Sequence, residues 1–88
     1  MAKLDIMYAP SFVRRYDKLE RELQLEIKER IVLFRDSKNH QQLKVHKLKG
    51  HLTERFSFSV NYQYRILFRY KNKNIAELLT VGDHDIYK

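Results

Sequence analysis

The C-terminal half of the chain contains three consecutive stretches with the residue pattern of β-strands, and this feature constrains the fold most. The first, Thr53 to Val60, alternates apolar and polar side chains, which is the period of a half-buried strand. The second, Tyr64 to Tyr70, is rich in aromatic and β-branched residues, and the third, Ile75 to Val81, is an apolar run of strand length. Turn-forming residues separate them, at Asn61-Tyr62-Gln63 and Lys71-Asn72-Lys73-Asn74. The sequence therefore predicts an antiparallel three-stranded meander.

The N-terminal half predicts one strand and then a helical segment. Lys3 to Tyr8 alternates as a half-buried strand does, and Pro10 and Ser11 follow it. Because Pro is tolerated in a first helical turn and Ser is a good N-cap, a helix is predicted to start here, with Ser11 as its N-cap. Apolar side chains then recur every three or four positions, which marks one helical stripe: Phe12, Tyr16, Leu19, Leu23, Ile27, Ile31 and Phe34.

This stripe is predicted to be core and to cover one face of the meander, which leaves the other face and its rim for function. The opposite helical surface carries mixed charges, and we expect pairs between positions i and i+4, such as Glu26 with Arg30. No Gly or Pro lies between residues 11 and 36. Periodicity alone therefore leaves open whether the segment is one long helix or a helical hairpin.

Length and composition favour one domain, residues 1–88, with function on its surface. A chain of 88 residues has too small a core for a buried cofactor cavity, and we expect no cofactor. It contains no cysteine, which excludes disulfides and zinc-thiolate sites. His46, His51, His84 and nearby aspartates match no common metal-site spacing, so no metal is expected. Without a long apolar run or a signal-peptide pattern, the expectation is a cytoplasmic protein that does not enter a membrane.

The net charge of +7 is concentrated in the middle of the chain. Residues 43–73 carry eight Lys or Arg residues against the single acid Glu54. A positive segment of this kind attracts polyanions through counterion release, which points to nucleic acid or to an acidic protein partner. The alternative is a basic surface that serves only solubility.

Histidines at two places could act together on such a polyanion. His46 lies in the basic connector from Lys44 to Gly50, and His84 lies in the tail between two aspartates, which favour its charged form. A histidine pair with one arginine suffices for metal-free RNA cleavage, in which a base activates the ribose 2′-OH and an acid protonates the leaving 5′ oxygen. Arg65 is a candidate for binding the phosphate. The plainer interpretation is a polar tail and an outward-facing strand arginine.

The segments His46-Lys-Leu-Lys-Gly50, Tyr64-Arg-Ile-Leu-Phe68 and Gly82-Asp-His-Asp85 with Tyr87 resemble the RelE/ParE superfamily of toxins from type II toxin–antitoxin systems. The resemblance extends over nearly the whole chain. It implies a small α+β fold with one N-terminal strand, a helical hairpin broken near residues 19–21, and the three-stranded meander, with the helices packed on one face of the sheet. It also implies a cognate antitoxin, acidic and partly helical, as partner.

Carried over by position, the resemblance implies a ribosome-dependent endoribonuclease of the histidine-using subgroup, acting on mRNA. His46 corresponds to the base, Arg65 to the phosphate-binding arginine, and His84 to the terminal histidine that acts as acid or base. Tyr87 corresponds to an aromatic residue that stacks on or orients the nucleotide. Further cations are candidates for RNA binding: Lys44, Lys47, Lys49, Arg55 and Arg69.

The chain also departs from the superfamily pattern. Ser57 and Ser59 occupy positions where many members carry Arg or Lys, and Thr80 occupies one where the histidine-using subgroup often has Arg. Two alternatives therefore stay open. One is a ParE-like toxin that acts on DNA gyrase without nuclease activity, and the other is a detoxified homologue that still binds an antitoxin.

Overall fold

The computed structural model of the protein describes residues 3–49 and 54–83. Within them, two helices pack on one face of a five-stranded sheet. The strands are β1 (Asp5–Tyr8), β2 (His46–Lys47), β3 (Phe56–Ser59), β4 (Arg65–Asn72) and β5 (Ile75–Gly82). Their order in the sheet is β1-β5-β4-β3-β2, and β1 runs parallel to β5 while the other pairs are antiparallel. The predicted α+β fold, with an N-terminal strand, two helices and a C-terminal meander, is confirmed.

The helical segment is a hairpin of α1 (Pro10–Asp17) and α2 (Arg21–Phe34), as the resemblance implied. The Tyr16 carbonyl at the end of α1 accepts hydrogen bonds from the Leu19 N–H at 3.1 Å and from Gln24 Nε2 at 2.8 Å. These bonds satisfy a carbonyl that a continuous helix would have bonded internally, so the break needs no Gly or Pro. No helix formed by the described residues is long and apolar enough to cross a membrane.

The start of α1 differs from the sequence prediction, and Ser11 is not its N-cap. The helix begins two residues earlier than a Ser11 N-cap would place it, at Pro10, and Ala9 precedes it as N-cap in an extended conformation with φ −70° and ψ 151°. Pro10 has no N–H to leave unsatisfied and its φ is already helical, so it suits the first helical position. The Ser11 hydroxyl instead donates a hydrogen bond to the Leu79 carbonyl in β5 and so joins α1 to the sheet.

The core lies between the helices and one face of the sheet, and Phe34 is at its centre. The Phe34 ring is stacked on Phe58 with 4.3 Å between centroids and meets Phe68 edge-on at 4.6 Å. All three side chains are fully buried. On another side of Phe34, His40 is stacked at 4.9 Å and its Nε2 lies 2.7 Å from the Phe34 carbonyl oxygen. Because a carbonyl only accepts, His40 Nε2 carries the proton in this bond, and His40 has a structural role.

The connector between the helices and the meander contains β2, a strand that the sequence did not predict. His46 pairs with Ser57 and Lys47 pairs with Phe56. A strand of two residues is too short to produce a visible alternation, so its pairing depends on β3 rather than on its own sequence. The connector therefore belongs to the sheet, as its edge strand next to β3.

Two further side chains have partners that differ from the predicted helical ion pair. Instead of pairing with Arg30, Glu26 Oε1 accepts a hydrogen bond from Asn61 Nδ2 at 2.9 Å. Arg30 Nε donates to the Val60 carbonyl at 2.9 Å. Both bonds join α2 to the turn between β3 and β4. They give partners to the Val60 carbonyl and the Asn61 amide, which solvent reaches only in part.

Candidate active site

The face of the sheet opposite the helices, which we call the open face, carries the two predicted catalytic residues that the structure describes, His46 and Arg65. Successive strand residues point to opposite faces, and cross-strand partners share a face. One row of cross-strand partners consists of His46, Ser57, Leu67 and Thr80, and the next row consists of Ser59, Arg65 and Gly82. His46 and Arg65 therefore lie on the same face, in adjacent rows.

The imidazole of His46 is held in one tautomer by the backbone. Its Nδ1 lies 2.8 Å from the Lys44 carbonyl oxygen. A carbonyl has no proton to give, so Nδ1 is the donor and Nε2 carries the lone pair of the neutral ring. The side chain is exposed on the edge strand, so Nε2 can accept a proton from a group on the open face.

Arg65 begins β4, and its guanidinium is anchored on the same face. Its Nη1 donates to Ser59 Oγ at 3.3 Å, and the residue is half-buried. Strand spacing and rise put the Cα atoms of His46 and Arg65 roughly 12 Å apart. The two side chains can therefore reach one phosphate group from opposite sides. A guanidinium with one N–H used still offers donors for such a phosphate.

Arg65 and Lys44 also line a cleft of about 380 Å³ at the end of the sheet, which we call the end cleft. Lys44 has a positive φ of 59°, in the left-handed region that is uncommon for a residue with a side chain. This conformation turns the chain just before β2. The same backbone therefore borders the cleft and supplies the carbonyl that orients His46.

Two of the four predicted catalytic residues, His84 and Tyr87, lie outside the described residues, and their roles stay predictions. The described chain ends one residue after β5. Gly82, the last residue of β5, is the cross-strand partner of Arg65.

The five predicted RNA-binding cations do not share one surface. Lys44 is on the end cleft, whereas Lys47 is the partner of Phe56 and so lies on the helix side of the edge strand. Lys49 is exposed and Arg55 is partly exposed. Arg69 lies on the open face, but its Nε is 2.8 Å from Glu77 Oε1.

The Arg69–Glu77 ion pair is a feature that sequence reasoning missed. Glu77 is the cross-strand partner of Arg69, and its side chain is only 15% exposed. The pair therefore neutralises a cation that the sequence assigned to RNA. Opposite charges at facing positions of neighbouring strands stabilise a sheet. The sequence contains both charges, but predicting their pairing requires the register between β4 and β5. A bulge shifts that register between Leu67 and Phe68.

The three positions that depart from the superfamily pattern lie on the open face. Ser57 is fully buried, and Ser59 accepts the hydrogen bond from Arg65. Thr80 Oγ1 is buried and has no hydrogen-bond partner among the residues that the structure describes. The part of the His46 row that Ser57, Leu67 and Thr80 form is therefore uncharged and largely closed to solvent.

Metal ligands do not cluster in the part of the chain that the structure covers. Residues 3–49 and 54–83 contain no group of three or more His, Cys, Asp or Glu side chains that could hold a metal ion. In the same described residues, His46 carries an imidazole, a group that can transfer protons, and Arg65 a guanidinium, a group that binds anions.

Comparison with known proteins assigns this small sheet, with its helical hairpin on one face, to a family of toxins. The family model of HigB-like toxins, described as the RelE-like toxin of type II toxin–antitoxin system HigB, matches residues 10–84. This match covers most of the chain, so the chain belongs to this family and is a RelE-like toxin of a type II toxin–antitoxin system. A search of curated proteins finds no match.

Solved structures support the same fold. The chain is similar to the toxin–antitoxin complex RelBE2 from Mycobacterium tuberculosis, with 20% identity, a TM-score of 0.77, and coverage of 96% of this chain and 94% of that one. It is also similar to YafQ from E. coli, with 12% identity, a TM-score of 0.78, and coverage of 97% and 98%. The YoeB–YefM complex from Staphylococcus aureus shows 20% identity, a TM-score of 0.65, and coverage of 94% and 99%.

Proposed function

We propose that this toxin cleaves mRNA on the ribosome without a metal ion, with His46 as general base and Arg65 as the phosphate-binding residue. The observation that carries the proposal is the hydrogen bond from His46 Nδ1 to the Lys44 carbonyl. It leaves Nε2 as the basic nitrogen of an exposed ring on the face that also holds Arg65. The family supports the proposal, because RelE-like members are typically endoribonucleases.

The proposed reaction is an in-line attack of a ribose 2′ oxygen on the adjacent phosphorus. The O2′–P bond forms as His46 Nε2 takes the 2′ proton, and the P–O5′ bond breaks as an acid protonates the leaving oxygen. Arg65 stabilises the extra negative charge on the phosphoryl oxygens during the reaction. We assign the acid to His84 and nucleotide orientation to Tyr87, in both cases from the sequence. The products are a 2′,3′-cyclic phosphate and a free 5′-OH.

We further propose that a cognate antitoxin, acidic and partly helical, covers the basic surface of this toxin. Two of the similar structures are complexes of a toxin with its antitoxin, RelBE2 and YoeB–YefM. The net charge of +7 and the basic segment of residues 43–73 favour an acidic partner. A complex purified from co-expression with the neighbouring small gene would support this partner.

The test is a translation assay with purified ribosomes and a defined mRNA, followed by primer extension. Wild-type toxin is expected to cut the mRNA in the ribosomal A site. Arg65→Gln should lower the cleavage rate by about 10²- to 10³-fold because a donor to the developing charge is lost. Arg14→Gln, at an exposed position on α1, is the matched control and should cleave normally. Intact A-site mRNA with wild-type protein refutes the proposal.

A second candidate, a toxin-fold protein that does not cleave RNA, is favoured by one observation on the open face. Arg69 is neutralised by Glu77, and the positions of Ser57 and Thr80 contribute no charge. Such a protein would either act on DNA gyrase or only bind its antitoxin. Induced cells would then show DNA damage with intact transcripts, or no growth arrest at all. The same induction experiment, followed for mRNA cleavage and DNA damage together, separates all three outcomes.

A further inference from the structure

The turn between β3 and β4 separates two clefts of opposite charge. On one side lies a groove that we call the acidic groove. Four glutamates from α2 and its N-cap line it: Glu20, Glu22, Glu26 and Glu29. On the other side lies the end cleft, which three cations from three different elements enter. These are Arg30 from α2, Lys44 from the segment before β2, and Arg65 from β4. The described residues that line the end cleft include no Asp or Glu.

Both arginines of the end cleft are held in place by hydrogen bonds that use only part of their donors. Arg30 donates from Nε to the Val60 carbonyl at 2.9 Å, and Arg65 donates from Nη1 to Ser59 Oγ at 3.3 Å. Each guanidinium carries five N–H groups in a planar fork, so each keeps donors for an anion. A fixed fork loses little entropy when it binds phosphate. The cleft therefore offers oriented guanidinium donors to an anion such as a phosphate group.

Tyr62 stands at the edge of this cleft and is 92% exposed. The turn that carries it is fixed, because Asn61 Oδ1 accepts hydrogen bonds from the N–H groups of Gln63 at 2.8 Å and Tyr64 at 2.7 Å. The Asn61 amide also binds Glu26. A large aromatic ring held open to solvent on a rigid turn contributes nothing to the core. Beside cations, it has the properties of a stacking platform for a nucleobase.

We propose that the end cleft binds one nucleotide of single-stranded RNA next to the phosphate that Arg65 contacts. Arg30 and Lys44 bind the phosphate of this nucleotide, and Tyr62 stacks on its base. Arg65 borders both the open face and the cleft, so the strand passes from the cleft to the cleavage site around the end of the sheet. The cleft volume of about 380 Å³ is in the range of small-ligand pockets. The assignment rests on the proposed cleavage of RNA, but binding can be measured without cleavage.

The test is an NMR titration of the full chain with a short single-stranded RNA that carries 2′-O-methyl groups and therefore has no free nucleophile. We expect shifts at Tyr62, at Lys44 and at the Arg30 Nε–H, and none at Lys18 or Glu22 in the acidic groove. The Tyr62→Ala variant should raise the dissociation constant about tenfold, since stacking on an aromatic side chain stabilises each base. Tyr62→Phe should restore wild-type affinity, because the ring remains.

Gln63→Ala is the matched control, since this exposed neighbour on the same turn lines the acidic groove instead; it should bind RNA normally. Arg30→Gln should reduce the slope of log affinity against log salt by about one, as expected for a lost phosphate contact. Equal affinity of wild type and Tyr62→Ala overturns the proposal, and so does the absence of shifts in the cleft at millimolar RNA.

Failure of this proposal is distinguishable from failure of the proposed function. If Tyr62→Ala binds the methylated RNA as wild type does but the wild-type toxin cleaves A-site mRNA, the cleft assignment is wrong and the proposed cleavage is supported. If the cleft binds RNA through Tyr62 while mRNA on ribosomes stays intact, the cleft assignment stands and the nuclease falls.

Discussion

The two faces of the sheet are built from the same strands and differ in almost every physical property. The helix-covered face buries three phenylalanine rings completely and holds them in mutual contact. The open face carries His46 and Arg65 in adjacent rows, and the row of His46 continues across the sheet as the uncharged, largely buried Ser57, Leu67 and Thr80. Because alternate residues of one strand point to opposite faces, neighbouring positions serve different purposes. The comparison predicts that stability and activity respond to different substitutions.

Alanine substitutions of two histidines should separate the effect on mRNA cleavage from the effect on stability most clearly. His46→Ala should lower the rate of A-site mRNA cleavage by about 10²- to 10⁴-fold, the usual contribution of general base catalysis. Its stability should be nearly unchanged, since the side chain is exposed. His40→Ala should cleave normally at a temperature where it is folded. It should lose about 1–2 kcal/mol of unfolding free energy with the Phe34 stacking and hydrogen bond.

Primer extension and urea denaturation, run on both variants, measure the two effects. Loss of cleavage by folded His40→Ala would contradict the prediction that the helix-covered face determines stability and not activity. Unchanged cleavage by His46→Ala would remove this residue from the mechanism.

Sequence periodicity was sufficient for the fold wherever an element was long enough to show its period. The stripe from Phe12 to Phe34 and the three strands of the meander have the buried faces that their patterns indicate. The hairpin break came from the resemblance, because the bonds that cause it involve Gln24 and the Tyr16 carbonyl rather than a Gly or Pro. The short strand at His46 was missed because two residues carry no period.

The site was less accessible to sequence reasoning than the fold. The resemblance selected His46 and Arg65, and the register explains why both lie on the open face. Charge counting grouped cations that the fold separates. The sequence does not show that Arg69 faces Glu77, because a β-bulge sets the register between their strands. It also does not show the short edge strand in which alternation places Lys47 on the helix-covered face.

Thr80 tests whether the middle of the open face is optimised for stability. Its buried hydroxyl has no hydrogen-bond partner among the described residues, and such a group is destabilising. Thr80→Val keeps the shape and removes the hydroxyl, so it should raise the unfolding free energy by about 1 kcal/mol. Thr80→Ser keeps the hydroxyl and loses a methyl group, so as a control it should be less stable than wild type. A loss of stability in Thr80→Val, measured by urea denaturation, would contradict this account.

Substitution of Tyr70 is expected to change the unfolding free energy least, and this change depends on pH. It lies at the margin of the helix-covered face, edge-on to Phe56 at 5.1 Å and to Phe68 at 5.4 Å. Burial raises the pKa of the Tyr70 phenol above its usual value of 10.0, because desolvation disfavours the phenolate. The folded chain therefore keeps this proton when the unfolded chain has released it. The stability contribution is fully present below pH 10.0 and is lost as the pH rises through the folded pKa.

Tyr70→Phe removes the titrating group and keeps the ring contacts. Its unfolding free energy should match that of wild type near pH 8 to within about 0.5 kcal/mol, and it should fall less steeply above pH 10.0. Urea denaturation of both proteins across this range measures the difference, in which the other titrating groups cancel. Parallel pH profiles would show that the margin of the aromatic core is as well solvated as the open face. The contrast between the two faces would then be confined to the central rings.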